Sequence, residues 1–447
     1  MNTKWNQHTP RHQVLMRACS APVAVLLGMT LLTLAIGQAQ AAAAGNTRGP
    51  SSPTKVIEPP ILWAHAYGND DLFAADVIQT SDGNFAVTGQ YQFFSPDGAD
   101  IYLLKVGANG LKLGQTFDDY GAFRFYGGSF IEQTEDLGFI VAGSGSKLIP
   151  PSSFFYLAKY DASGNKLWSK EYKPEGSDAM CLAATATPDG GYLMVGSMVA
   201  SASVDYVYVV KADGLGHTEW DSIISNPAGL GDTSAIARSV TLAPGGYALT
   251  GEVYDQNTGL TSAFLLRLNV FGKVVAREHY NFRLPYSTKT DIDGRSIQYT
   301  KDGFIIAGSA YGYNSPPSLT PRAAFLLKVA TSGNVRWFKT YGRSAGSSAS
   351  SVCETRDGGY ILTGNTDWTT VSSSFHAYVA RTDSNGNQLW TKTITSGGMV
   401  PYATSAGNKI IVTSDGGYIM AGMAVPGAAA DTLLVRIEPD IVSGKSH

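Results

Sequence analysis

The side chains of this 447-residue chain that are best placed for chemistry are aromatic residues in loops. The usual residues of catalytic and metal centres are scattered, and the chain contains no H-E-x-x-H or C-x-x-C motif. Five histidines follow the first 41 residues, none at metal-ligand spacing from another histidine or a cysteine: His65, His217, His279, His376 and His447. The turns 161–165 (DASGN) and 383–387 (DSNGN) lack the distal glutamate of a calcium loop. The sequence predicts no metal site and no cofactor.

Aromatic residues recur among serine, threonine and asparagine in five loop-like segments, 91–100, 118–129, 252–262 (with Tyr254), 309–322 and 365–376. The candidate ligand-binding residues are Tyr91, Phe94, Tyr120, Phe125, Tyr126, Tyr311, Tyr313 and Trp368. Exposed aromatic rings beside small hydrogen-bonding residues suit recognition of a protein or a glycan. The alternative is that half or more of these rings only seal the loops onto the fold.

These loops belong to a unit that the chain repeats seven times. A turn, an aromatic residue, three further residues and a glycine recur at intervals of 53 to 58 residues. The phrase ends at Gly89, Gly143, Gly196, Gly251, Gly308, Gly364 and Gly422. A sustained period of this length indicates stacked repeats, because one such unit cannot bury its own apolar face. Each unit carries four strand-like segments, which in the sixth are 350–355, 360–364, 377–382 and 388–394.

The two ends of the repeat array predict a closed ring. The last unit stops after its third strand, at 432–437, whereas 61–67 (ILWAHAY) matches the fourth strand of other units. The N-terminal strand is therefore expected to complete the last unit, which leaves only short, protected sheet edges. The predicted fold is all-β: a seven-bladed β-propeller of four-stranded antiparallel blades.

Two side-chain types recur at fixed positions in the blades. The third strand ends with a base in every unit: Lys105, Lys159, Lys211, Arg267, Lys328, Arg381 and Arg436. We expect each base to lie beside the aspartate of the turn that follows it; a ring of cations for a ligand is the alternative. The fourth strand carries Trp168, Trp220, Trp337 and Trp390. These rings are expected to fill the gaps between neighbouring blades rather than to stack on a cofactor.

The order GN-x-L-W-x-K-x-Y, T-x-D-G-G-Y-I-x-x-G and Y-L-x-K over residues 61–437 resembles the secreted and cell-surface seven-bladed propeller repeat proteins of bacteria. It is also distantly similar to quinoprotein-type propellers. The resemblance implies the fold and an exported location, but no common reaction. The favoured function is a binding or scaffolding module. The alternative is a quinone- or metal-dependent oxidoreductase, a hydrolase or a lyase with an axial site, for which Asp76, Glu132, Asp293 and Glu354 are candidate acids.

The N-terminus predicts export. Basic residues precede the apolar run 22–36, and Ala39-Gln40-Ala41 offers a cleavage site, in the order typical of a secretory signal. We expect a signal peptide at 1–41, a flexible leader at 42–60, the propeller at 61–437 and a tail at 438–447. The expected location is the periplasm or the cell exterior, with no membrane span after cleavage; an uncleaved anchor is the alternative.

Net charge restricts the classes of partner, and the positions of the cysteines predict whether they form a disulfide. A net charge of −3 with 15% charged residues offers no footprint for nucleic acid. Cys181 and Cys353 belong to the third and sixth repeats, nearly opposite in a seven-membered ring and beyond disulfide distance. We therefore expect two free thiols in a monomeric protein.

Overall fold

Alternating apolar residues and glycine-containing turns fold the chain into short antiparallel strands. The computed structural model describes residues 56–442, apart from 69–70, 93–98, 119–123, 202–203, 231–232, 286, 314–321, 343–345, 367–374, 398–399 and 428. Every regular element in the described part is a strand. The strands form seven four-stranded antiparallel blades, and a single parallel bridge, Ala99 with Phe125, joins blades 1 and 2. The chain is a seven-bladed β-propeller, as predicted.

The first four blades follow one another along the chain, each from its inner to its outer strand. Blade 1 contains Leu72–Gln79, Phe85–Gln92, Ala99–Val106 and Lys112–Asp118. Blade 2 contains Arg124–Gln133, Phe139–Leu148, Pro151–Tyr160 and Lys166–Tyr172. Blade 3 contains Ala179–Ala186, Tyr192–Ser201, Val204–Ala212 and Thr218–Ile224. Blade 4 contains Thr233–Ala243, Gly246–Asp255, Leu260–Asn269 and Val274–Tyr280.

The remaining blades continue this order and then return to the start of the chain. Blade 5 contains Lys289–Thr300, Gly303–Tyr313, Arg322–Ala330 and Val335–Tyr341. Blade 6 contains Ser347–Glu354, Tyr360–Thr366, His376–Thr382 and Gln388–Ile394. Blade 7 contains Thr404–Val412, Tyr418–Val425 and Asp431–Ile437, with Ile61–Tyr67 as its outer strand. The pairing of Ile61–Tyr67 with Asp431–Ile437 confirms the predicted ring closure.

Short segments on either side of the predicted propeller are also ordered against it. Val56–Ile57 pairs with Ile441–Val442, and Val56 packs against the apolar cluster between blades 6 and 7. Asp440 accepts hydrogen bonds from Arg381 Nε at 2.8 Å and from Trp390 Nε1 at 3.0 Å. Residues 56–57 of the segment that the sequence assigns to the leader thus pair with residues 441–442 of the tail, and the tail also contacts blade 6.

Aromatic rings of the outer strands fill the gaps between blades, as predicted. Trp220 lies 6.4 Å from the ring of Tyr247 in the next blade, and Trp337 lies 5.9 Å from Tyr360. The closing strand repeats the arrangement, since Trp63 packs edge-on against Phe85 of blade 1 at 6.1 Å. Seven apolar clusters, each of which spans two neighbouring blades, form the core.

The bases at the ends of the third strands pair with aspartates, but not with those of the following turn. In five blades the cation reaches the aspartate of the turn between the first and second strands, at 2.5 to 3.0 Å. The pairs are Lys159–Asp136, Lys211–Asp189, Lys328–Asp302, Arg381–Asp357 and Arg436–Asp415. Both turns lie at the same end of the blade, so the sequence alone left the partner ambiguous. The finding favours a structural role for these bases over a ligand-binding ring.

Two further findings concern the cysteines and the membrane. Cys181 and Cys353 are both free, as predicted. Within the described residues, no helix has the length and apolar character needed to cross a membrane.

Candidate functional site

A β-bulge in the inner strand of every blade shapes the centre of the ring. In each inner strand the register with the second strand shifts at one residue, and that residue lines the central channel. The seven bulge residues are Ala75, Ser129, Leu182, Arg238, Arg295, Ser350 and Asn408. Bulges re-aim side chains, and here they place one side chain per blade on the channel surface.

The bulge explains the glycine that ends each repeat of the sequence. A Cβ at Gly89 would lie 1.9 Å from the carbonyl oxygen of Phe73, on the bulged strand opposite. At Gly308 the corresponding distance, to the oxygen of Asp293, is 1.8 Å. The other five repeat glycines meet the inner strand in the same way, at 1.9 Å. Only glycine lets the two backbones approach this closely.

The bulges enclose a central cavity of about 330 Å³ that is lined by all seven inner strands. Its lining divides into two regions. The side formed by blades 2 and 3, called here the apolar wall, carries Phe130, Leu182, Ala183 and Ala184 together with one polar residue, Ser129. The side formed by blades 4 to 7, called here the polar wall, carries the cations and most of the hydroxyl groups: Arg238, Ser239, Arg295, Ser296, Ser350, Ser351, Asn408 and Lys409. Gln298 and six apolar or sulfur-containing residues complete this side: Val240, Ile297, Val352, Cys353, Ile410 and Ile411. Asp76 of blade 1 lies between the two walls.

The polar wall contains two arginines, and each forms an ion pair with an acidic residue. Arg295 donates from Nε and Nη2 to Oδ2 of Asp293, at 3.0 and 2.8 Å, and from Nη2 to the hydroxyl of Tyr311 at 3.2 Å. Burial opposes the charge of Arg295, but Asp293, Tyr311 and Glu252 together raise the pKa of the guanidinium above its usual value. In blade 4, Arg238 Nη2 lies 2.7 Å from Oε1 of Glu252. Each arginine of the channel surface thus has an acidic partner.

An ion pair joins the last blade to the first across the channel wall. Lys409 Nζ lies 3.0 Å from Oδ1 of Asp76. Asp76 also accepts from the backbone N–H of Val77 at 2.9 Å and from that of Ile131 at 3.1 Å. Burial opposes the charge of Lys409, but the Asp76 carboxylate holds the pKa of Lys409 above its usual value. Asp76 thus takes part in an ion pair and two backbone hydrogen bonds and is not an unpaired carboxylate.

Serine hydroxyls connect the blades of the polar wall at the residue after each bulge. Ser239 accepts from the N–H of Ile297 at 3.2 Å. Ser296 accepts from Val352 at 3.2 Å, and Ser351 accepts from Ile410 at 3.3 Å. Among the contacts of the described residues none of these hydroxyls donates a hydrogen bond, so their protons can be offered to a ligand.

The four candidate acids of the sequence do not converge on one point. Asp76 lines the channel, and Asp293 forms an ion pair with Arg295. Glu132 and Glu354 lie near the ends of their inner strands and outside the cavity lining. Burial raises the pKa of Glu132 and of Glu354. No cluster of three metal-ligating residues occurs in the part of the chain that the structure describes. Sequence reasoning missed Arg238, Arg295 and Lys409.

A G-x-S-x-G sequence at 342–346 also escaped the sequence-based search for motifs. Ser344 itself lies outside the described residues. The segment follows the strand Val335–Tyr341 and precedes the strand Ser347–Glu354, whereas a nucleophile elbow needs a strand-to-helix turn. The motif therefore lacks the context of a hydrolase nucleophile.

Three of the eight aromatic candidates lie at one face, called here the loop face, where second strands end and inner strands begin. Tyr311 and Tyr313 lie there at the end of the second strand of blade 5, and Tyr91 at that of blade 1. Tyr126 belongs instead to the core: it is 2% exposed and packs against Phe154 and Tyr156. Phe94, Tyr120, Trp368 and the side chain of Phe125 lie outside the described residues.

Exposed tyrosines gather on the loop face at two neighbouring blades. Tyr313 of blade 5 is 45% exposed and Tyr254 of blade 4 is 44% exposed. Tyr313 donates to Asp291, which raises the pKa of its phenol to about 12. Tyr311 is half-buried, with the guanidinium of Arg322 4.8 Å from its ring centre. Tyr313 is therefore held through its hydroxyl, and the rings of Tyr254 and Tyr313 are both partly open to solvent. By contrast, the ring of Tyr91 packs against Phe117 at 4.8 Å.

Comparison with known proteins adds a few remote similarities. No protein-family model and no curated protein matches the chain. Among solved structures, Sqt1 of Chaetomium thermophilum shares 12% identity with a TM-score of 0.45, over 86% of this chain and 98% of that one. The extracellular domains 1-2 of Drosophila Semaphorin 1a share 10% identity, with a TM-score of 0.46 over 85% and 88%. The Dos1 propeller shares 11% identity, with a TM-score of 0.44 over 85% and 95%.

These similarities are too remote to carry an argument about what the chain binds. The class of protein rests on the strand pairing described above, which defines a seven-bladed β-propeller. Membership among the secreted propellers of bacteria stays a prediction from the sequence, and so does the likeness to quinoprotein-type propellers.

Proposed function

We propose that this propeller is a binding or scaffolding module that recognises a protein or a glycan through its loop face. The exposed tyrosines of blades 4 and 5 carry the proposal. Most of the large aromatic residues in the strands are buried, yet Tyr254 and Tyr313 keep nearly half of their surface in solvent on adjacent blades. Tyrosine offers a large apolar ring and a polar tip at low entropic cost, which is why it is enriched in binding surfaces.

The test compares the loop face with the opposite face of the ring. The variant Tyr254→Ala/Tyr313→Ala removes both exposed rings. Phe271→Ala is the matched control, because Phe271 is 73% exposed in the turn between the third and fourth strands of blade 4. Binding is measured on a glycan array and by cross-linking to co-purified proteins. We expect the double variant to lose the partner that the native protein and Phe271→Ala retain; equal retention by all three proteins would contradict the proposal.

We also propose that the protein is exported, to the periplasm or the cell exterior. Support comes from the order of basic, apolar and small residues in 1–41. N-terminal sequencing of the protein purified from its source is expected to begin near residue 42. A native protein that retains its first 41 residues would contradict cleavage.

A further inference from the structure

We propose that the central channel is a second binding site, separate from the loop face, and that it takes a small carboxylate with an apolar body. The channel combines two surfaces that such a molecule needs. One is the apolar wall, with the ring of Phe130 and the side chain of Leu182. The other is the polar wall, with its two arginines and its serine hydroxyls.

The ring geometry sets these surfaces opposite each other. In a seven-bladed ring, blade 2 lies across the axis from blades 5 and 6, and blade 3 lies across from blades 6 and 7. Phe130 of blade 2 therefore lies across the axis from the blades that carry Arg295, Ser296 and Ser350, while its side chain also packs against the apolar cluster of blades 2 and 3. A ligand that spans the channel can rest its apolar body on Phe130 and Leu182 while its polar end reaches the arginine side.

The hydrogen-bonding capacity of the polar wall favours an acceptor-rich, negatively charged group. Arg238 Nε is buried and has no hydrogen-bond partner among the described residues. The Asp293 pair uses Nε and Nη2 of Arg295 and leaves Nη1 for another acceptor. The three linking serines add unused hydroxyl protons. Charged hydrogen bonds from a planar guanidinium suit a carboxylate especially well.

The charges of the lining disfavour the opposite kind of ligand. Arg238, Arg295 and Lys409 line the cavity, and Asp76 is the one acid among the lining residues. Asp76 already accepts from Lys409, Val77 and Ile131. A cationic ligand would therefore find no unpaired carboxylate on the channel surface, because Asp76 is paired with Lys409. Glu252 and Asp293 are likewise paired with the two arginines.

The size of the channel limits the ligand to a small molecule. A volume of about 330 Å³ lies at the lower end of the range for small-molecule sites. An aromatic or alicyclic monocarboxylate has suitable dimensions, whereas a folded partner cannot enter. The partner of the loop face and the ligand of the channel are thus different molecules.

The experiment titrates the intact protein with pairs of ligands that differ only in charge. The probes are benzoate, phenylacetate and cyclohexanecarboxylate, and each is compared with the corresponding amide. Binding is measured by titration calorimetry at constant ionic strength. We expect at least one acid to bind, and its amide to bind more weakly by about tenfold or more, because a hydrogen bond to a charged group is lost. No binding by any of the acids, or equal binding of acid and amide, would overturn the proposal.

Three variants locate the site on the two walls. Arg238→Gln is expected to weaken binding of the acid about tenfold, and Leu182→Asn is expected to weaken it through the apolar wall. Arg277→Gln is the control, since Arg277 is exposed on the outer strand of blade 4. Far-ultraviolet circular dichroism checks that each variant is folded. Equal losses in Arg277→Gln and Arg238→Gln would overturn the proposal.

The loop-face variant separates this proposal from the proposed function. Tyr254→Ala/Tyr313→Ala is expected to bind the acid like the native protein, because neither ring lines the cavity. Loss of the acid in this variant would overturn the assignment to the channel. Loss of the protein or glycan partner alone would support the loop face and leave the channel result intact.

Discussion

The apolar and polar walls of the channel share the same bulged backbone. They differ in the contacts that link one inner strand to the next. In the polar wall, serine hydroxyls at the residue after the bulge accept from the next inner strand. In the apolar wall, Phe130 and Ala183 occupy that position and offer no acceptor. The bulge itself is present in all seven blades. The comparison shows that the bulge sets the backbone of the ring, while the residue that follows it determines how neighbouring inner strands are linked.

A second layer of hydrogen bonds, nearer the loop face, is common to both walls. The third strand of one blade donates a backbone N–H to a serine or aspartate at the start of the next blade. Ser153 donates to Asp178 at 2.7 Å and Asp205 to Ser234 at 2.9 Å, at the two apolar seams. Ala324 donates to Ser347 at 3.0 Å in the polar half. The apolar wall therefore keeps its blades together although Phe130 and Ala183 lack the linking hydroxyl; near the axis, Ser129 donates to the carbonyl oxygen of Cys181 at 3.4 Å.

The largest expected effect tests whether the bulge constrains the backbone equally in both walls. Gly308→Ala in blade 5 and Gly196→Ala in blade 3 would place a Cβ 1.8 and 1.9 Å from backbone oxygens. Each is expected to lower the free energy of unfolding by about 3 kcal/mol, because the strands must move apart. Gly114→Ala has no atom within 4 Å of its Cβ and should change stability by less than about 0.5 kcal/mol. Urea unfolding measures all three.

A loss of stability at Gly308 without one at Gly196 would break the comparison. It would mean that the bulge of the apolar wall can relax where that of the polar wall cannot. Equal losses would show that the two walls differ only in their side chains.

A smaller effect is expected where the ring closes. Lys409→Met leaves Asp76 in place without its ammonium partner, and the side chain of Asp76 is only 3% exposed. Because Lys409 is itself 37% exposed, we expect a loss of about 2 kcal/mol, below the range for a fully buried pair. In a double-mutant cycle with Asp76→Asn, the second substitution should cost less than it does alone.

Lys147→Met is the control for this prediction. Its pair with Glu171 lies at the surface, with side-chain exposures of 29% and 42%, and a surface pair contributes less than about 1 kcal/mol. Equal costs at Lys409 and Lys147 would show that the closing ion pair is no more than a surface contact.

The smallest effect exchanges the chemistry of the two walls. Ser296→Ala leaves the N–H of Val352 without its acceptor and is expected to cost about 1 kcal/mol. Ala183→Ser places a hydroxyl at the equivalent position of blade 3, where the repeat sets the N–H of Val240 opposite it. This substitution should be neutral or stabilising by up to about 1 kcal/mol. Thermal unfolding of both variants checks the pair, and a loss in Ala183→Ser as large as in Ser296→Ala would refute the equivalence.

The sequence predicted the fold well because the strongest signals are those of the turns and second strands. The repeat glycines counted seven blades, and the match of 61–67 to other fourth strands predicted the closing strand. The sequence did not predict why these positions are glycine, because a bulge involves two strands and the sequence of the second strand does not show it. Their fixed place in each repeat was nevertheless a signal that something opposite them comes unusually close.

The site was predicted less well because the inner strands carry weak patterns. The segment 118–129 was predicted to be a loop that exposes Tyr126, but the inner strand of blade 2 begins at Arg124. A Cβ at Gly128 would lie 2.4 Å from the hydroxyl oxygen of Thr88 in the neighbouring blade. The glycine is thus required inside a strand, by a contact between blades that one repeat cannot reveal. Arg238 and Arg295 were missed for a related reason, because a bulge interrupts the alternation that would have marked them as facing the axis.

The bulge also has a consequence for protein engineering. Its backbone is set by a glycine on the second strand, so the residue at the bulge is not constrained to one type. The seven positions indeed hold alanine, serine, leucine, arginine and asparagine. Substitutions there change the channel surface one blade at a time and leave the strand pairing as it is. The ring is therefore a scaffold in which the specificity of a central pocket can be redesigned at seven separate residue positions, without altering any loop.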